Sequence, residues 1–191
     1  MNKIILLAFI LALAIQPSLA QTVPLTAETN HSTVGFGISI AGFTRVVGQF
    51  HDYDIQIDYV DGDITKSDIR AEIDAASIDT GIEGRDNHLR TADFFDVEKY
   101  PKITFVSSKI FKYEDHYLAL GEFSMHGVTN EILLPFEIVK VDGNTIGFKI
   151  RTQINRIDYG VGKDFKHDAI PNFLSDLIDV EIDFWTKKRK T

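Results

Sequence analysis

The stretch Thr145-Ile146-Gly147-Phe148-Lys149-Ile150-Arg151-Thr152-Gln153-Ile154-Asn155 decides the fold class. Ile146, Phe148, Ile150, Thr152 and Ile154 alternate with Gly147, Lys149, Arg151, Gln153 and Asn155. A period of two puts every second side chain on one face, which is the pattern of a strand with one buried side. Just upstream, Asp142-Gly143-Asn144 reads as a turn, and before it Ile132, Leu134, Phe136 and Ile138 oppose Leu133, Pro135 and Glu137. Downstream, Ile178, Val180, Ile182 and Phe184 oppose Asp179, Glu181, Asp183 and Trp185.

The same alternation runs back toward the start of the chain. Val34, Phe36, Ile38 and Ile40 alternate with Gly35, Gly37 and Ser39; Tyr53, Ile55, Ile57 and Tyr59 with Asp52, Asp54, Gln56 and Asp58. Ile69, Ala71 and Ile73 repeat it, and Ile103 with Phe105 continue it after Pro101. About eight antiparallel strands in one all-β domain over residues 21–191 are predicted. Gly84 to Phe95 breaks the pattern and reads as one short helix or ordered loop, which Tyr100-Pro101 ends. Eight such strands satisfy their edges either by closing into a barrel or by pairing as a sandwich. The 14 phenylalanines would line a barrel cavity or fill a sandwich core equally well.

Residues 1–20 stand apart. Lys3, the apolar run Ile4 to Ile15 and Ser18-Leu19-Ala20 ahead of Gln21 have the form of a signal peptide. The run is shorter than the roughly 20 residues a bilayer-spanning helix needs, so no stable membrane anchor is expected and the protein is predicted to be periplasmic or secreted. No cysteine is present, which removes disulfides, thiolate metal sites and a cysteine nucleophile together. A net charge of −8 argues against nucleic acid as a partner, because such affinity rests on clustered Lys and Arg. The basic run Lys187 to Lys190 reads as a solvated, frayed end.

Several segments, in order, resemble the YceI-like family of exported bacterial proteins. They are His31-Ser32-Thr33-Val34-Gly35-Phe36 through Gly48-Gln49-Phe50; Arg85-Asp86-Asn87-His88-Leu89-Arg90 followed by Asp93-Phe94-Phe95-Asp96-Val97-Glu98-Lys99-Tyr100-Pro101; Gly121-Glu122-Phe123-Ser124-Met125-His126-Gly127-Val128-Thr129; and Asn155-Arg156-Ile157-Asp158-Tyr159-Gly160-Val161. The resemblance spans about Thr22 to Phe184. It implies an eight-stranded, lipocalin-like antiparallel barrel and the binding, sequestration or transport of a long-chain amphipathic lipid, such as a polyisoprenoid or quinone. An enzyme acting on a lipid-like substrate and an envelope protein-interaction module are the alternatives. The partner expected is thus a long apolar or amphipathic small molecule, and pairing into a homodimer stays open.

Such a ligand needs few polar contacts, since each buried CH₂ contributes about 0.8 kcal/mol. Strand parity selects Phe36, Ile38, Phe105, Phe123, Met125, Phe136, Ile154, Ile182 and Phe184 as the ligand-binding lining, with a bulge at Gly121 as the place where that parity would reset. His88 and Arg90 are candidate head-group contacts, although Arg90 could instead pair with Asp93 or Asp96 at the surface. Arg156, Asp158 and Tyr159 suggest an ion pair with a tyrosine wedge, and His126 a structural part in a turn with Gly127. Ser124 and His126 could join an aspartate, but without a nucleophile elbow they make a weak catalytic site, and no catalytic residue is assigned. The six histidines show no paired spacing, and Asp52, Asp54 and Asp58 lack the glycine and glutamate of a calcium loop, so neither a metal nor another cofactor is expected.

Overall fold

The computed structural model describes residues 22–142 and 145–189; residues 1–21, 143–144 and 190–191 lie outside them, and with them the expected signal peptide and the centre of the expected Asp142-Gly143-Asn144 turn. Its strands are β1 (Thr22–Ala27), β2 (Thr33–Ile40), β3 (Thr44–Phe50), β4 (Tyr53–Val60), β5 (Asp68–Asp74), β6 (Ile78–Asp79), β7 (Lys102–Tyr113), β8 (His116–Met125), β9 (Val128–Asp142), β10 (Thr145–Asn155) and β11 (Leu174–Lys188). One α-helix, α1 (Glu83–Arg90), stands between β6 and β7.

These segments build eight staves, because the first three are each broken in two. β2 pairs with β3, with Val34 opposite Phe50, and β1 pairs with β4, with Leu25 opposite Ile57, so β1–β2 and β3–β4 are two long bent strands side by side. β5 and β6 form a third, pairing with β4 and β3 respectively. Two of the three breaks are capped by side chains: Glu28 accepts from the Asn30 N–H, and Asp74 from the Ala76 N–H at 2.9 Å. From β5 the sheet runs through β7, β8, β9 and β10 to β11, which pairs with β2 and then with β1, closing the ring. Closure removes the free edges that an open sheet would expose.

The last pairing corrects the sequence reading of the basic C-terminal run. Lys187 and Lys188 sit opposite Thr26 and Leu25 in the seam, and the Arg189 guanidinium donates to Gln56 and to Asp58 at 2.9 Å. Backbone pairing, invisible in composition, makes these residues part of the closure and not a frayed end.

A bulge near Gly121 does occur, but on the facing strand. Ser107 pairs with Gly121 and Lys109 with Leu120, leaving Ser108 as the extra residue in β7. Inward parity in β7 therefore passes from Ile103, Phe105 and Ser107 to Ile110, whereas β8 keeps its phase through Ala119, Gly121 and Met125.

The hairpin 40–44, α1 with residues 91–101, the His126-Gly127 turn and segment 156–173 gather at one end of the barrel, called here the upper end. The lower half is packed solid. Leu25, Ile57, Ala119 and Ile146 there have no accessible surface. Phe184 stacks on Phe148 at 4.8 Å, Phe148 meets Phe136 at 5.8 Å, and Phe136 stacks on Tyr117 at 5.4 Å. The buried Thr186 hydroxyl accepts from the Ile146 N–H and donates to the Ile146 carbonyl, so the plug carries no unpaired polar atom at that point.

Candidate functional site: an apolar cavity with a cationic mouth

Above that plug the barrel encloses a cavity of about 390 Å³ with an almost wholly apolar wall. This falls within the roughly 300–1,000 Å³ of small-molecule sites. The space exists because inward positions on three staves carry almost no side chain: Gly48 on β3, Ala71 on β5 and Gly121 on β8. A Cβ placed on Gly48 would lie 2.4 Å from the Phe36 ring, and one on Gly121 would lie 2.8 Å from the Phe105 ring. Both aromatic rings are thus laid along the wall over a glycine, which leaves the lumen open.

Phe36, Ile38, Phe105, Phe123, Met125, Ile154, Ile182 and Phe184 all border this cavity. Phe136 does not, and its place in the expected lining is corrected here. It points inward as parity requires, but it lies in the plug between Tyr117 and Phe148. Parity encodes direction and not depth along the barrel axis.

At the upper end the wall turns polar. α1 sends Arg85, His88 and Leu89 toward the cavity, positions i, i+3 and i+4 on one helical face. His88 is also half exposed, so the cavity reaches solvent beside it. Its Nε2 lies 2.9 Å from Asp93, and its ring meets the Phe94 and Phe165 rings edge-on at 5.1 and 6.0 Å.

Arg90, two residues on from His88, falls on another side of α1. It is not at the mouth, nor does it pair with Asp93 or Asp96. Its Nε donates to the Ala76 carbonyl and its Nη2 to the Ile78 carbonyl, both at 2.7 Å, clamping α1 to the break between β5 and β6. The head-group expectation for Arg90 is corrected accordingly, and Arg85 stands where Arg90 was expected. Arg85 Nε donates to the Thr80 hydroxyl at 2.6 Å and Nη2 to the Thr80 carbonyl at 2.7 Å.

Arg156 is the second guanidinium of the wall, and it is buried. Its Nη1 donates to the Val161 and Gly162 carbonyls at 2.8 Å and its Nε to the Ser175 carbonyl at 2.9 Å. Its carboxylate partner is Asp176 at 3.4 Å, not the expected Asp158. Burial pushes the Arg156 pKa below its ordinary value, and Asp176 opposes that shift. Tyr159 does act as a wedge: it is buried and edge-on to Phe123 at 5.2 Å.

His126 and Gly127 both have positive φ, 51° and 77°, the geometry of a tight two-residue hairpin turn. The His126 ring Nδ1 lies 3.0 Å from the Tyr159 carbonyl, whereas the Ser124 hydroxyl pairs with Thr129 at 2.6 Å. Ser124 and His126 therefore serve two different local contacts. Thr80, Arg85, Phe165 and Phe173 border the cavity but were not selected from sequence as lining. For Arg85 the signal was available in the three-and-four spacing with His88 and Leu89; for residues 165 and 173 none was, because their segment has no period.

A closed antiparallel barrel, plugged at one end and hollow toward the other, defines the lipocalin-like class of ligand-enclosing folds. The chain belongs to the YceI-like family, whose domain matches residues 25–185. It is 29% identical over 159 residues to the UPF0312 protein plu2095 of Photorhabdus laumondii, covering 81% of each chain. Its fold is similar to that of Burkholderia cenocepacia BcnA, with a TM-score of 0.75 at 21% identity over 83% of this chain and 98% of the other. It is also similar to a polyisoprenoid binding domain from Saccharophagus degradans, with a TM-score of 0.71 at 16% identity over 87% and 99%.

Proposed function

We propose that this protein binds a long-chain amphipathic lipid, of polyisoprenoid or fatty class, with the tail in the barrel and the head near α1, and that it does so as a carrier or buffer in the periplasm or outside the cell. The observation that carries the reading is the pairing of an apolar cavity with a solid floor and a polar mouth. Such a shape accepts one end of a molecule and leaves the other at the surface. Each methylene drawn in adds about 0.8 kcal/mol, so a tail suffices for affinity without polar contacts below the mouth. The fold it shares with the Saccharophagus polyisoprenoid binding domain supports the same class of cargo. The leader-like residues 1–20 support export.

Mass spectrometry of organic extracts from purified, natively expressed protein tests this. A long-chain lipid recovered near one per chain is expected. Extracts without such a lipid, together with no uptake of palmitate or geranylgeraniol by delipidated protein, would sink the proposal.

A further inference from the structure

Among the described residues, every ionisable side chain that borders the cavity is of a basic type. Arg85, His88 and Arg156 are there, and no Asp or Glu is among the bordering described residues, in a chain whose net charge is −8. An acidic protein has thus kept its carboxylates away from this one wall.

Of the two guanidiniums, that of Arg85 is not matched by a described carboxylate, and that of Arg156 is matched by a solvent-exposed one. Among the described residues Arg85 has no ion-pair partner, and its bonds go to the hydroxyl and carbonyl of Thr80. Behind Thr80, the buried Asp86 accepts from the Thr80 N–H at 2.9 Å and from its hydroxyl, so that carboxylate faces away from the lumen. Arg85 Nη1 donates to no described residue. Arg156 is almost fully buried; its Nε and Nη1 serve neutral carbonyls, and its Nη2 donates at 3.4 Å to Asp176, a carboxylate that is itself largely exposed. His88 has Asp93, which lies on the outer side at the surface. Removing a cation from water without a close counter-charge is costly, and an incoming anion offsets that cost. Guanidinium groups suit carboxylate and phosphate because their N–H donors form a planar fork.

Resting on the lipid-binding reading above, we infer that the head group of the cargo is anionic, a carboxylate or a phosphate monoester, and that Arg85, with Arg156 behind it, selects it over a neutral head on the same tail. Carbonyl or hydroxyl heads, as on a quinone or an alcohol, satisfy a donor but leave the charge unmatched.

Matched tails separate the two contributions. Delipidated wild-type protein is titrated with geranylgeranyl phosphate against geranylgeraniol, and with palmitate against hexadecanol, each below its aggregation concentration. Expected is at least tenfold tighter binding of the charged member in one or both pairs. Arg85→Gln, checked for fold by circular dichroism, narrows that ratio to a few-fold with the larger loss of affinity on the charged member, and Arg85→Lys keeps part of it. A ratio near one in the wild type, or alcohols binding more tightly, overturns the head-group inference while the carrier reading stands. An undiminished ratio in Arg85→Gln overturns the assignment to Arg85. Failure of all four ligands to bind overturns the carrier reading itself.

Discussion

Gly48→Ala is a one-carbon change with a readable consequence for the cavity. The new Cβ would sit 2.4 Å from the Phe36 ring and 2.9 Å from the Thr80 methyl. Carbon atoms rest about 3.5–4.0 Å apart, so the ring edge must retreat by roughly 1–1.5 Å. The obstacle is the end of a side chain rather than backbone, and the open direction for it is the lumen. Overpacking of this kind costs about 1–3 kcal/mol of stability. A ring displaced into the cavity takes the space of one or two methylenes of ligand, about 0.8–1.6 kcal/mol of binding, or roughly 4- to 15-fold in Kd. Displacement of a fluorescent fatty-acid probe by palmitate, run beside a thermal melt, reads both quantities. The expected result is a lowered Tm together with weaker binding. A lowered Tm with unchanged Kd would mean that Phe36 retreats elsewhere, and unchanged values of both would refute the account of how Gly48 keeps the lumen open.

Other substitutions separate plug from wall and clamp from mouth. Phe136→Ala should lose about 3–5 kcal/mol in chemical denaturation, with ligand affinity nearly unchanged, because its ring packs in the floor stack; Phe123→Ala should show the larger change in affinity. Arg90→Ala removes two charge-assisted bonds to backbone carbonyls and should cost about 2 kcal/mol, a fall of some 4–8 °C in Tm by calorimetry. The Asp79 carboxyl is held below the usual carboxylate range by its hydrogen bond to His51, aided by the Gly81 N–H. A depressed folded-state pKa gives stability that is present above the ordinary aspartate range and is lost as pH falls through the lowered value. Asp79→Asn should therefore destabilise the protein at neutral pH and flatten the fall in Tm on acidification below about pH 4; an unchanged acid limb would refute the role of this contact.

Much of the wall was legible in the chain because alternation is a local property. Val34 to Ile40, Tyr53 to Tyr59 and Ile178 to Phe184 each bury one face, and the pleat alone fixes which residues share it. β8 was harder to see, because its inward positions Ala119 and Gly121 are too small to register as an apolar stripe, and β1 because it is short and holds Pro24. The smallness that hid β8 helps to make room for the cavity.

The chain by itself determined the β class, the inward sets and the break in pattern that becomes α1. Closure into a ring, and the share of the lumen left hollow, were decided only by tertiary structure. Whether β11 meets β1 depends on pairing across more than 150 residues, which no local period records. Depth along the axis sends Phe136 to the floor and Phe123 to the wall although both face inward. The orientation of α1 turns Arg85 to the mouth and Arg90 to the backbone of the break at residues 75–77. Parity is set by the geometry of one strand; depth and orientation are set by how eight staves stagger around a common axis.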